Sequence, residues 1–302
     1  MERALKRTET AAHGVRRIVR QRLEQVIRRL SQRPLPDAAI HRSRKELKKT
    51  RAGLRLLRDA LGEHAYSRAN RQVRDAARPL SVIRDARALI DQLNELARRP
   101  SARLPAAGVA ALRAVLESER RAVRRRLVIR HEELDRALAA LRALREESGE
   151  WRVGRRGWPV LGCGLRRVYR AGRAAGEVAR RYPTAANLHE WRKQVKYLWY
   201  QLQILEPARP RTLGRWIAQA RELGDTLGDD HDFAVLKEKL AHVPQALPDA
   251  QARARLEGAI DARRGALEEK ALALGRRVYR AKPREFAERL GRYVRDWQRT
   301  RV

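Results

Sequence analysis

The feature that most narrows what this chain can fold into is that it repeats itself. The stretch "AAIHRSRKELKKTRAGLRLL" (38–57) aligns without a gap with "ANLHEWRKQVKYLWYQLQIL" (186–205). His41 lies over His189, Arg44 over Arg192, Lys45 over Lys193 and Lys48 over Lys196, all at an offset of 148. Leu54 and Leu57 lie over Leu202 and Leu205. Downstream, "LSVIRDARAL" (80–89) aligns with "LGDDHDFAVL" (227–236) at an offset of 147. Upstream, "GVRRIVR" (14–20) aligns with "GLRRVYR" (164–170) at an offset of 150. Three collinear matches at nearly one offset imply a duplicated unit. The halves are 1–150 and 151–302, with the join in the glycine-rich "SGEWRVGRRG".

Each half carries one coarse plan. Ala, Leu, Arg and Glu dominate, with 18 Gly and two Phe, and no β-branched or aromatic run of strand type occurs. Such usage favours helix, so the fold is expected to be all-α. Proline stops set the helices: a first of about 3–31 and 159–182, and a second, bearing the histidine, of about 37–61 and 184–206. A third covers about 65–98, broken near Pro79, and about 209–240, broken near Gly224 and Gly228. A long fourth covers about 106–147 and 245–279, and a terminal helix follows Pro283. Four long helices per half predict two pseudo-symmetric four-helix bundles.

The charge narrows the function. Seventy Lys and Arg face 36 Asp and Glu, a formal net charge of +34. Self-repulsion of that size opposes compaction, and a polyanion relieves it. Nucleic acid, an anionic membrane surface and polyphosphate are the three candidates. No apolar run approaches the roughly 20 residues of a membrane span, and the N-terminal stretch lacks the apolar core of a secretory signal. The single cysteine, Cys163, leaves no internal disulfide and no cysteine-rich zinc site. A cytoplasmic protein is expected.

On a helical wheel both histidine helices separate into two faces. Ile40, Leu47, Leu54, Leu57 and Leu61 form the core stripe of the first, and Leu188, Val195, Leu198, Leu202 and Leu205 that of the second. His41, Arg44, Lys45, Lys48, Arg51 and Arg55 fill a separate sector of the first; His189, Arg192, Lys193 and Lys196 fill that of the second. Like charges at i,i+4 cost a helix a few tenths of a kcal/mol per pair. A solvated face needs only polarity, yet both copies keep the order H-x-x-R-K-x-x-K. The conserved order between the copies marks the sector as a site.

With these two helices, the "IRD" of Ile83–Asp85, the "DHD" of Asp230–Asp232 and the duplication, the chain resembles the conserved-histidine α-helical, or CHAD, domain over nearly its whole length. The resemblance implies two four-helix bundles related by a pseudo-two-fold. It also implies a basic channel that binds inorganic polyphosphate, and an association with polyphosphate granules. Positions matching the family pattern are His41, Arg44, Lys45, Lys48, Arg51 and Arg84, then His189, Arg192, Lys193, Lys196 and His231. Trp199 stands where the first half has Arg51, and His231 where it has Arg84. The second half is therefore expected to grip phosphate less strongly, or differently. Family members are commonly fused to a triphosphate tunnel metalloenzyme domain, whose E-x-E-x-K signature is not found here, so a stand-alone binding module is expected.

These residue types suit polyphosphate, which offers dense charge and no bases. Arginine presents a planar fork of donors and lysine a compact charge. Side chains at i, i+3, i+4 and i+7 form a ladder with rungs about 5.4 Å apart. A second wall is expected from Arg16, Arg17 and Arg20 with Arg166, Arg167 and Arg170, and "RRAVRRRLVIR" (120–130) is a candidate continuation. Asp85 and Asp232 share one aligned position, either orienting basic side chains or capping a helix.

Two other readings compete. His189 with His231 and Asp232 is similar to the histidine and aspartate ligands of all-helical HD phosphohydrolases. The aligned Arg84, which is no metal ligand, speaks for shared charge instead, so neither catalysis, metal nor cofactor is expected. Weak RNA or DNA binding is the other alternative. Single-strand binders interleave aromatics with basic residues, and here Trp191, Tyr197, Trp199 and Tyr200 cluster on one helix. Trp151, Trp158, Trp216 and Trp297 read as packing residues.

Overall fold

Where the chain changes helix, local chemistry provides the stop. The computed structural model describes residues 4–99, 104–129, 131–154, 157–242 and 249–299; the side chains of 81–86, 123–124, 126–129 and 131 lie outside the described part. Among the described residues the chain forms eleven α-helices and no strand. The first half holds α1 (Ala11–Leu30), α2 (Asp37–Leu61), α3 (Glu63–Ala77), α4 (Ser81–Ala97), α5 (Ala106–Ile129) and α6 (His131–Glu150). The second holds α7 (Trp158–Arg181), α8 (Ala185–Leu205), α9 (Pro210–His242), α10 (Ala250–Val278) and α11 (Pro283–Arg299), with a 3-10 turn at Glu206–Ala208. Thr10, Thr184 and Asp249 cap α1, α8 and α10, each accepting from the backbone N–H three residues on.

The expected boundaries hold closely for α2, α7 and α8, and the break near Pro79 separates α3 from α4. Two expectations fail. The first helix starts at Ala11, not near residue 3, because Thr10 caps it. The segment before it crosses to the second half, where the Leu5 N–H donates to the Ile204 carbonyl at 3.0 Å. The third helix of the second half is not interrupted: α9 runs unbroken through Gly224 and Gly228. Glycine in a helix interior costs about 1 kcal/mol against alanine. Here the missing side chains leave room for α8. A Cβ at Gly224 would stand 3.2 Å from the Lys196 side chain, and one at Gly228 3.5 Å from the Arg192 guanidinium.

The apolar interior is shared across the repeat boundary. The larger cluster joins α1, α2, α3 and α6 to α7, α8, α11, the first part of α9 and the last part of α10, through residues such as Leu23, Leu47, Leu165, Leu202 and Leu290. The smaller unites Leu93 of α4 and Leu112 of α5 with Phe233 and Leu236 of α9 and Ile260 of α10. Two helices from each side of residue 150 thus surround one small core. Among the described residues, both clusters draw on helices from either side of residue 150.

α2 is held against both α7 and the second histidine helix, α8. α7 lies so close to α2 that a Cβ at Gly164 would stand 2.5 Å from the Arg55 carbonyl oxygen. The buried Gln201 side chain of α8 donates to the Ala52 carbonyl of α2 at 3.2 Å. The four leucines and one valine of the α8 stripe are buried, as are Ile40, Leu47, Leu54 and Leu57 of α2. With those faces turned inward, the basic sectors must turn out together.

Candidate functional site

The two basic sectors open into one cleft of about 430 Å³. α2 contributes His41, Arg44, Lys45, Lys48 and Arg51; α8 contributes His189, Arg192, Lys193 and Lys196. Tyr197, Trp199, Tyr200 and Asp225 complete the lining. Residues 148 apart in sequence therefore meet at one site.

The cations are held by neighbouring groups. Arg44 is buried, and its Nη1 donates to the Leu80 carbonyl at 2.9 Å, tying α2 to the start of α4. Arg51 Nε and Arg55 Nη1 share the Asn70 side-chain oxygen at 3.0 and 3.1 Å, and the Arg55 guanidinium lies 3.7 Å from the centre of the Tyr197 ring. These contacts restrict long side chains that would otherwise sample many rotamers. Lys193 pairs with Glu190. Lys196 Nζ lies 2.8 Å from Asp225 and 4.7 Å from the centre of the Trp199 ring.

His189 and His231 face each other, with ring centres 4.3 Å apart. Among the described residues, the buried Nδ1 of His189 has no hydrogen-bond partner. Burial, then the nearby His231, Arg192 and Lys193, press the His189 pKa down to about 4. It is therefore neutral at physiological pH in the ligand-free protein. Among the described residues, no three His, Cys, Asp or Glu side chains converge as a metal site.

Not every expected residue reaches the cleft. The side chains of Arg84 and Asp85 lie outside the described part, as does most of 123–130. His231 and Asp232 are half-buried on α9 and do not line the cleft. The capping alternative fails for both aspartates, because Asp232 lies inside continuous α9 and Leu80, not Asp85, precedes α4. The expected second wall is not brought to the cleft either. Arg16 donates to the Trp151 carbonyl at 2.8 Å, Arg17 pairs with Glu9 at 2.6 Å, and Arg167 pairs with Asp59 at 2.9 Å. Arg20, Arg166 and Arg170 are exposed and do not line the cleft. Three of the six arginines thus fasten the repeat units to their surroundings.

Sequence reasoning missed Asp225. It is an acid at the mouth of a basic site, shared by Lys196 and, at 3.5 Å, by Arg221. The signal was available: at the offset of 147, Asp225 falls over Arg78, so the second half reverses the sign there. Asn70, the brace of Arg51 and Arg55, carried no such signal.

Fold and site together define an all-helical protein with a duplicated histidine helix and a basic cleft between the copies. The sequence model of the CHAD domain matches residues 11–241, and the chain belongs to that family. Its fold is similar to the crystal structure of the CHAD domain from the plant Ricinus communis, with a TM-score of 0.64 at 19% identity, covering 92% of this chain and 94% of that one. A comparison with curated protein sequences yields no match.

Proposed function

We propose that the cleft binds inorganic polyphosphate without chemically altering it. The observation that carries this reading is that both H-x-x-R-K-x-x-K faces open into one cleft. An extended polyanion laid along it meets cations from both helices at every turn. Arginine and lysine supply donors and charge in the form that phosphate oxygens take. A cytoplasmic place at polyphosphate granules goes with this reading.

The aromatics favour polyphosphate over RNA. A base needs an open ring face on which to stack. Trp199 is 7% exposed, stacked on Tyr200 at 4.8 Å and covered by Lys196 on its way to Asp225. Tyr197 is taken by Arg55. These rings brace cations and leave little surface for a base.

The test is a calorimetric titration with long polyphosphate, tripolyphosphate, orthophosphate and single-stranded RNA at one salt concentration. Affinity should rise steeply with phosphate chain length until both ladders are spanned, by the logic of linked sites. Equal affinity per phosphate for orthophosphate and long chains would refute a shared cleft. Mg²⁺- or Mn²⁺-dependent phosphate release that disappears in His231→Ala would replace binding with hydrolysis.

A further inference from the structure

The opposite face of α8 lines a second cavity. Leu198 and Leu202 border it, whereas Lys193 and Lys196 border the basic cleft. Its volume is about 580 Å³, within the roughly 300–1,000 Å³ of small-molecule sites. Much of its wall comes from the end of α10, the following turn and α11, all beyond the residues matched by the family.

The lining combines an aromatic base and a cationic rim with one carboxylate, that of Glu285, which accepts from the Lys282 backbone N–H at 3.4 Å. At the base lies an aromatic group: Tyr169 and Phe286 stack with centres 4.0 Å apart, and Trp216 lies 5.3 Å from Phe286. Tyr169 and Phe286 are buried, while Trp216 is only half-buried and presents surface to the cavity. The Tyr169 hydroxyl is already used, donating to the Val278 carbonyl at 3.1 Å. At the rim stand Arg277, Arg280 and Arg289, all exposed. Unlike Arg284, which pairs with Glu288 at 2.7 Å, none of the three makes a hydrogen bond or ion pair with the described residues. Gln219, on the wall, likewise has no hydrogen-bond partner among them.

Three unpaired guanidinium groups around an aromatic base call for a ligand that is anionic at one end and planar at the other. We propose that this cavity binds a nucleoside di- or triphosphate. The base lies against Trp216, the Gln219 amide reads its edge, and the phosphates lie across Arg277, Arg280 and Arg289. Arginine forks suit phosphate oxygens, and aromatic rings suit the flat base. The basic cleft has the charge for such a ligand but no comparably open ring, so the two sites divide the anions by shape.

ATP is the probe, titrated by calorimetry into the Lys45→Glu/Lys48→Glu protein, in which the basic cleft carries reversed charges. One ATP per chain should bind. Adding Arg280→Glu and Arg289→Glu, both at exposed positions, should abolish that binding while circular dichroism and the melting temperature show the fold intact. Trp216→Leu should weaken ATP roughly tenfold and leave tripolyphosphate unchanged, since only the base uses the ring. ATP binding that survives the Arg280/Arg289 reversal would overturn the proposal. So would tripolyphosphate binding as tightly as ATP at this site.

Discussion

Asp225→Asn should tighten polyphosphate binding, although it removes an ion pair. In the ligand-free protein the Asp225 carboxylate holds Lys196 at 2.8 Å. A phosphate chain in the cleft must displace that carboxylate from the lysine and remain beside it. Two unit charges about 6 Å apart repel by about 3 kcal/mol at an effective dielectric of about 20. The Asp225 side chain is 52% exposed, so solvent and salt reduce this to about 1 kcal/mol. The freed Lys196 acts in the same direction. Affinity should therefore rise about fivefold. The asparagine keeps the shape and hydrogen-bonding capacity of the aspartate. Stability should shift by less than about 1 kcal/mol, because the pairs lost with Lys196 and Arg221 are partly exposed. The assay is calorimetric titration with long polyphosphate at about 150 mM salt. Unchanged or weaker binding would refute the reasoning, because it would place the ligand away from Lys196.

His189 gives a pH dependence of definite sign. Its pKa is about 4 in the folded protein against an ordinary 6.5, so the unfolded chain binds the extra proton between those values. Its contribution to stability is full above pH 6.5 and is lost as pH falls towards 4. His189→Gln should flatten that part of the melting-temperature profile. Comparison with wild type separates it from Asp229, Asp230 and Glu268, whose pKa values burial raises and which act in the opposite direction. Polyphosphate should draw a proton onto His189, so calorimetry in buffers of different ionisation enthalpy should show proton uptake on binding that is smaller in the variant. Gly228→Ala should stabilise the protein by about 0.5–1 kcal/mol, because α9 is helical there and the new Cβ makes only an ordinary contact with Arg192. A fall in melting temperature would show that the space beside Arg192 has no slack.

The histidine helices were legible because two independent periodicities agreed. The leucine stripe fixed which face turns inward, and the duplication showed that the remaining face is more than polar surface. Its place beside the other copy's face rests on tertiary packing that includes contacts without local signature, such as Gln201 on the Ala52 carbonyl and Gly164 against the Arg55 carbonyl. Gly224 and Gly228 misled, since a glycine that breaks a helix and one that admits a neighbour's side chain look alike in sequence. Arg16, Arg17 and Arg167 misled for a related reason. Aligned arginines mark an equivalent place in each repeat, and an anchoring contact is reproduced by duplication as faithfully as a binding one. The sharing of the small core between halves depends on how α9 and α10 continue past both clusters, which hydrophobic periodicity does not reveal.

The charge on residues 41–51 costs the helix stability, and a polyanion in the cleft is the proposed reason that it persists. The most direct measurement compares two charge reversals of equal size: Lys45→Glu with Lys48→Glu in the cleft, and Arg211→Glu with Arg215→Glu at exposed positions near the start of α9 that line neither the cleft nor the second cavity. Each is titrated with long polyphosphate at fixed ionic strength. Both proteins should fold, and the first should be no less stable than wild type, since repulsion along α2 falls. The cleft pair should lose roughly 100-fold in affinity, because two attractive charges become repulsive in a confined site, while the distant pair loses only a few-fold. Equal losses would mean that net charge alone attracts polyphosphate, and that the paired histidine helices are not its site.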